Sequence, residues 1–224
     1  MTAKSWEDPR VHAGMSAQLR LRRERIGAGD MALGWKVGFG SPAAREKLAI
    51  DAPLIGFLVQ SGRLAPGATV PLAGWTKAIA ECEIAVHMGA DLAAGSDEAT
   101  ARRAIAALGP AIELIDRVRP PEEVEAILAG NIYQRHVVLG EPDASRAGGS
   151  VEGIRSTVLR NGTEHASTAD PQAATGELMY GNGELPDAFD GEAEGFQAFV
   201  QVHGYVPPTR EVLIQWATNS QGGA

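Results

Sequence analysis

The run Ala78-Ile-Ala-Glu-Cys-Glu-Ile-Ala-Val-His87 constrains this chain more than any other segment. Small and β-branched apolar residues surround two acids, and Gly89-Ala90-Asp91 follows as a stop, so the pattern predicts a strand. Along a strand, residues i and i+2 project from the same face. Glu81 and Glu83 therefore stand side by side, while Cys82 and Ile84 face the other way. Adjacent carboxylates repel unless water or a cation separates their charges. The apolar flanks suggest a partly buried strand, where an acidic pair needs compensation. Hard oxygen ligands of this kind suit Mg²⁺, Mn²⁺ or Ca²⁺ better than Zn²⁺.

A third acid stands in a second apolar run, Ala111-Ile-Glu-Leu-Ile-Asp116. Glu113 is hard to explain in a core without a partner. If the two strands meet, Glu81, Glu83 and Glu113 could bind one cation on one side and leave positions open for water and substrate. The plainer alternative is that the glutamates line a solvent-facing edge or are neutralised by Lys and Arg. Lys36 lies between Trp35 and Val37 in a strand bracketed by Gly34 and Gly38. Such a lysine either snorkels to solvent or is positioned for chemistry, and both readings stay open. Asp116 and Arg117 read as a local pair at a strand end.

The remaining elements follow from periodicity and punctuation. Val11, Met15, Leu19 and Ile26 share a face at helical spacing before Gly27 and Gly29. The basic run Arg20-Leu-Arg-Arg-Glu-Arg25 reads as the wet face of that helix, with a local anchor for an anionic substrate or partner as the alternative. Ser41-Pro42 predicts an N-cap and a short helix through Leu48. Gly34–Phe39, Gly56–Val59, Thr69–Leu72, Ala111–Val118 and His136–Leu139 read as strands. Ser96-Asp97-Glu98 opens a helix to about Leu108, and Pro120-Pro121-Glu122-Glu123 opens another that Gly130 closes. Asn161-Gly162 marks a hairpin within 153–168. Phe196–Tyr205 reads as a strand, and Glu211–Trp216 as a strand or short helix. Strands interspersed with short helices, without regular alternation, point to a mixed α/β-containing roll or barrel rather than a doubly wound sheet.

Composition narrows the function classes. A net charge of −8 argues against general nucleic-acid binding. The single cysteine, Cys82, cannot form an internal disulfide, which suits a reducing, cytoplasmic setting. No apolar stretch approaches a membrane span, and none at the N-terminus has signal-peptide length. The histidines lack metal-ligand spacing, and there is neither a G-x-S-x-G elbow nor a phosphate-binding glycine loop.

Taken in order, Gly34-Trp-Lys-Val-Gly-Phe, Ile50-Asp-Ala-Pro-Leu-Ile-Gly-Phe-Leu, Ala80-Glu-Cys-Glu-Ile-Ala-Val, Ala111-Ile-Glu-Leu-Ile-Asp and His136-Val-Val-Leu-Gly form a combination. It resembles the 2-oxopent-4-enoate hydratase and oxalocrotonate decarboxylase branch of the fumarylacetoacetate hydrolase superfamily. The resemblance covers roughly residues 10–175 of a single domain, 1–224, with 176–224 read as a divergent or truncated C-terminal part. It implies an α+β fold: a mixed β-roll with flanking short helices. It also implies a Mg²⁺ or Mn²⁺ cofactor on Glu81, Glu83 and Glu113, an active-site Lys36, and a homo-oligomer.

The implied reaction is that of a metal-dependent hydro-lyase. It hydrates a 2-hydroxy-2,4-dienoate to a 4-hydroxy-2-oxo acid through a stabilised enolate, as in the catabolism of aromatic compounds. The alternatives are a 2-oxo acid decarboxylase, a C–C hydrolase, or a non-catalytic homologue that binds metal or an oxo acid. Where the family carries an acid before the glycine of its Asp-x-Pro-x-x-Gly segment, this chain has Leu54 and Ile55. Where the family carries a serine-containing segment, this chain reads Asn131-Ile-Tyr-Gln-Arg-His, which makes Tyr133 and Arg135 candidate substrate contacts.

Overall fold

A computed structural model describes residues 7–92, 96–118, 123–169 and 212–216. Helix α1 spans Pro9–Gly27; the Asp8 carboxylate caps it by accepting from the Arg10 amide at 2.9 Å, with Pro9 at the first helical position. Val11, Met15 and Leu19 are buried along its predicted face. The basic run departs from its wet-face reading at one place. Arg20, Arg23 and Arg25 are exposed, but Arg22 is buried with its guanidinium 4.8 Å above the Trp35 ring. A cation over an indole face is stabilised there, and the long aliphatic stem adds to the core.

Strand β1 (Ala32–Gly38) follows, then helix α2 (Pro42–Leu48), capped by the Ser41 hydroxyl as the sequence predicts. Next come β2 (Leu54–Val59), the two-residue β3 (Arg63–Leu64) and the long β4 (Ala78–Met88). Helix α3 (Glu98–Ala104) leads into β5 (Ile105–Asp116), and α4 (Val124–Ala129) into β6 (Gln134–Leu139). The expected hairpin is β7 (Ser156–Arg160) and β8 (Thr163–Thr168); Asn161 and Gly162 both have positive φ, as its tight turn requires. Strand β9 is Val212–Trp216, which resolves the strand-or-helix alternative for that segment. The expected strand at Phe196–Tyr205 lies outside the described residues.

Two expectations need correction. Residues 69–72 form no strand. The helix opened by Asp97 stops at Ala104 rather than near Leu108, because Ile105–Leu108 pairs with β4 instead. Helix propensity is a weak prior there, and burial of Ile105 and Leu108 on a paired strand outweighs it. The strand continues through Gly109-Pro110, and the Pro110 carbonyl accepts from the Gly140 amide at 2.8 Å.

Among the described residues, seven strands form one mixed sheet in the order β2-β1-β9-β4-β5-β6-β3. β9 is parallel to β1 and antiparallel to β4, so it joins the two halves of the sheet. The architecture is therefore α+β. The outer face of β1 and β2 packs Trp35, Phe57 and Ile55 into the main core with α1 and α4. The two helices approach closely at Gly14, where a β-carbon would lie 2.6 Å from Leu128 Cβ and 2.8 Å from the Glu125 carbonyl. Gln18, fully buried, donates to the Ile55 carbonyl at 2.8 Å and to the Leu128 carbonyl at 2.9 Å, tying α1 to both β2 and α4. No helix among the described residues is long and apolar enough to cross a membrane.

The sheet is strongly curved. Lys36 on β1 contacts Glu113 on β5, although β9 and β4 lie between those strands. In a flat sheet, β1 and β5 would be about 14 Å apart, and side chains standing perpendicular to it could not meet.

At the end of β5, Asp116 pins the connection that leads into β4. Its carboxylate accepts from the amides of Thr76 at 2.9 Å and Lys77 at 2.8 Å, and from Arg135 Nη2 at 3.1 Å. The expected local pairing with Arg117 is therefore replaced by a longer-range one, because Arg135 on β6 lies beside the end of β5. Burial opposes ionisation of Asp116. The two amides and the guanidinium outweigh it and hold the carboxyl below its ordinary 3.8. A depressed folded-state value gives stability that is present above the ordinary value and lost as pH falls through the folded one. Asp116→Asn should therefore lower Tm at pH 7, with the gap from wild type closing below about pH 3.9 in thermal melts.

Candidate metal centre

The site grows from the pairing of β4 with β5. Glu81 lies directly opposite Glu113, and Glu83 opposite Ala111, so strand parity and register together bring the three carboxylates to one patch. One oxygen from each lies within 4.8 Å of the others. Among the described residues this is the one cluster of acids, histidines or cysteines with such geometry. Glu83 and Glu113 retain only 5% and 3% of their exposure, and Glu81 is half-buried. The patch is bounded by apolar side chains of the smaller core, including Ala85, Ala111 and Val137.

Lys36 enters from β1 and is also buried, at 2% exposure. Its Nζ donates to the Glu113 carboxylate and, at 2.8 Å, to the Ile132 carbonyl. Lys36 is therefore not snorkelling. It neutralises one carboxylate, so part of the plainer reading holds: a lysine does compensate the cluster. One ammonium cannot compensate three carboxylates, however.

The remaining imbalance is visible in the proton affinities. Burial raises the Glu81 pKa to about 8; the Glu113 charge adds to the rise, and Lys36 and Arg117 oppose it. Burial also pushes Glu83 well above its ordinary 4.5, with further repulsion from Glu113 and Glu81. Glu113 is raised by burial, and Lys36 pulls it back. Glu83 Oε2 is buried and finds no hydrogen-bond partner among the described residues. An unpartnered buried carboxylate oxygen on a residue clustered with two further carboxylates is a fit for a hard divalent cation, which would supply the missing positive charge.

The other candidate residues lie elsewhere. Tyr133 is 7% exposed and packs into the main core, while its backbone carbonyl accepts from the Asp116 amide at 3.0 Å. Arg135 is occupied by Asp116, with its guanidinium 5.8 Å from the Trp75 ring centre. His87 and His136 sit half-buried on strands, as expected of packing residues.

Sequence reasoning missed Gly56 and Asn131 as parts of the site. A β-carbon at Gly56 would lie 2.7 Å from Lys36 Cε and 2.9 Å from Asn131 Oδ1. The glycine leaves room for both side chains to cross β2. The signal was present only as a glycine inside a strand, which often marks a close approach.

No protein-family model and no curated protein sequence matches the chain. Solved structures do. The 4-oxalocrotonate decarboxylase of Pseudomonas putida G7, complexed with magnesium and adipate, superposes with a TM-score of 0.68 at 18% identity, covering 91% of this chain and 74% of that one. The same enzyme complexed with calcium and acetate gives 0.68 at 18% identity, with 97% and 80% covered. Fumarylpyruvate hydrolase from Pseudomonas aeruginosa, in complex with Mn²⁺ and pyruvate, gives 0.51 at 13% identity, with 82% and 76% covered. A protein assigned to the fumarylacetoacetate hydrolase family from Yersinia pestis CO92 gives 0.51 at 14% identity, with 82% and 80% covered. The chain thus shares the fold of these solved structures.

A raised carboxyl pKa stabilises the fold below pH 4.5 and loses that contribution as pH rises toward about 8. In chelator-treated protein, Tm should fall as pH rises from 6 to 9. Glu83→Gln removes one buried charge at equal volume and should flatten that fall. It should raise Tm at pH 9 by several degrees, at about 2–4 °C per kcal/mol for a chain of this size. An unchanged pH profile in differential scanning fluorimetry would show that the carboxylates are not electrostatically coupled.

Proposed function

We propose that this chain is a divalent-cation-dependent enzyme acting on a small 2-oxo acid, with Glu81, Glu83 and Glu113 holding Mg²⁺ or Mn²⁺ and Lys36 serving the substrate. The convergence of three carboxylate oxygens within 4.8 Å, two of them on buried glutamates, with a buried ammonium on one, carries the reading. A β-roll is the form of sheet this reading adopts, supported by the Lys36–Glu113 contact between strands that are not neighbours.

A bound cation supplies Lewis acidity, which stabilises negative charge developing on the keto oxygen of a 2-oxo acid. The chain's own groups do the rest. The three glutamates are preorganised by strand pairing, so ordering them for binding costs little conformational entropy. The apolar surroundings limit water and strengthen each charge. Lys36, anchored by the Ile132 carbonyl, presents an ammonium that can pair with a substrate carboxylate or exchange a proton at Nζ.

Hydration of a 2-hydroxy-2,4-dienoate to a 4-hydroxy-2-oxo acid is the reaction the motif resemblance implies. Decarboxylation is a second reading, favoured by the structural likeness to 4-oxalocrotonate decarboxylase, the higher TM-score of those compared. Both reactions pass through charge on the same keto oxygen, so this shared site serves either one. Spectrophotometry with Mg²⁺ or Mn²⁺ separates them: loss of dienol absorbance without CO₂ supports the hydratase, and CO₂ release supports the decarboxylase. Cation-dependent thermal stabilisation without turnover of any 2-oxo acid would leave a binding protein.

Glu83→Ala should abolish Mn²⁺ binding in titration calorimetry, and turnover with it, while far-UV circular dichroism stays native. If that variant binds Mn²⁺ as tightly as wild type, the assigned ligands are wrong. Lys36→Met should retain Mn²⁺ binding and lower kcat by on the order of 10²- to 10⁴-fold.

A further inference from the structure

The turn after α4 is unusual. Asn131, Ile132 and Tyr133 all have positive φ, at 54°, 49° and 63°. Three consecutive non-glycine residues in the left-handed region are costly, and most so at the β-branched Ile132. Such a conformation persists only where surrounding contacts over-determine it. Here the contacts are specific. The Asn131 amide group imitates a neighbouring strand: its Oδ1 accepts from the Phe57 amide at 2.8 Å, and its Nδ2 donates to the Phe57 carbonyl at 2.9 Å. The Ile132 amide donates back to the Ile127 carbonyl at 2.8 Å. Held at both ends, the turn aims the Ile132 carbonyl at Lys36 Nζ. Gly56, next to Phe57, leaves the gap through which Lys36 and Asn131 Oδ1 pass.

We propose that Asn131 is a positioning residue: its paired hydrogen bonds to Phe57 hold the left-handed turn whose Ile132 carbonyl fixes the Lys36 ammonium against Glu113. The role follows from geometry. Lys36 has two anchors, a carboxylate and a carbonyl, and only the carbonyl is independent of the glutamate cluster. A carbonyl on an ordinary helix exit would point along the helix axis; the left-handed turn redirects this one toward β1. Asn is suited to the position because it tolerates positive φ and carries both a donor and an acceptor. The consequence for turnover rests on the proposed role of Lys36, so the test separates the two.

The test reads the accessibility of each lysine amine in the full-length, folded protein by reductive methylation and peptide mass spectrometry. Lys47 and Lys77 are exposed and serve as internal controls. In wild type, Lys36 should be protected. Asn131→Gly keeps the backbone freedom that the turn needs but removes both side-chain hydrogen bonds. It should label Lys36 faster by on the order of tenfold, with Lys47 and Lys77 unchanged and a cooperative urea transition retained. Gly56→Ala, which crowds Lys36 and Asn131 from the other side, should do the same. Kinetically, both variants should lower kcat by on the order of tenfold or more and leave Mn²⁺ affinity near wild type.

Lys36 remaining protected in a folded Asn131→Gly protein would overturn the proposal, whatever happens to turnover. Faster labelling with full turnover would support the positioning role and overturn instead the catalytic role given to Lys36.

Discussion

Among the described residues, three largely buried carboxylates share one face of a sheet with one ammonium, and their mutual repulsion shapes what surrounds them. Burial weakens the solvation that would otherwise make three adjacent charges tolerable, and like charges at this separation raise one another's proton affinity. Lys36 relieves Glu113 and leaves Glu83 buried, with one oxygen lacking any partner among the described residues. A fold that only needed stability would place apolar side chains at these positions. Retaining the acids in a low-dielectric patch fits the cation site proposed for them.

The rest of the structure supports that patch mechanically. Gly14 lets α1 approach α4, and Gln18 bonds both α4 and β2. Those two contacts fix the end of α4 relative to β2, and Asn131 closes the remaining gap to Phe57. The core below the sheet therefore sets the height and direction of the turn that meets Lys36. On the far side, Asp116 ties the entry to β4 to the end of β5, which keeps Glu81 in register with Glu113. The strain at Asn131–Tyr133 sits beside Lys36, and over-determined backbone of this kind is commonly stored at functional sites.

Local rules read much of this chain correctly. Parity alone placed Glu81 beside Glu83 and away from Cys82; Ser41 is the N-cap the pattern selected, and Asp97, within the predicted Ser96-Asp97-Glu98 start, caps the next helix. The hairpin at Asn161-Gly162 needed no tertiary information, since positive φ at two successive residues is a local demand. Errors arose where distant partners decide. Ile105–Leu108 reads as helix until β4 is present to pair with it. Arg22 reads as solvated until Trp35 offers an aromatic face. Arg117 looks like the partner of Asp116 until β6 brings Arg135 alongside.

By itself, then, the sequence determined which face of each strand carries which side chain, where helices begin, and that the Glu81–Glu83 pair and Glu113 are out of place in apolar strands. Those properties depend on periods of a few residues. The tertiary structure alone decided that Glu113 faces Glu81, because register between strands is a choice among slips that only the packed sheet resolves. It alone brought Lys36 across two intervening strands by curving the sheet, and set a carbonyl from a left-handed turn against it. The carboxylate pair that opens the reading is a local fact; its completion into a site that could hold a cation is a property of curvature and register, which no local spacing encodes.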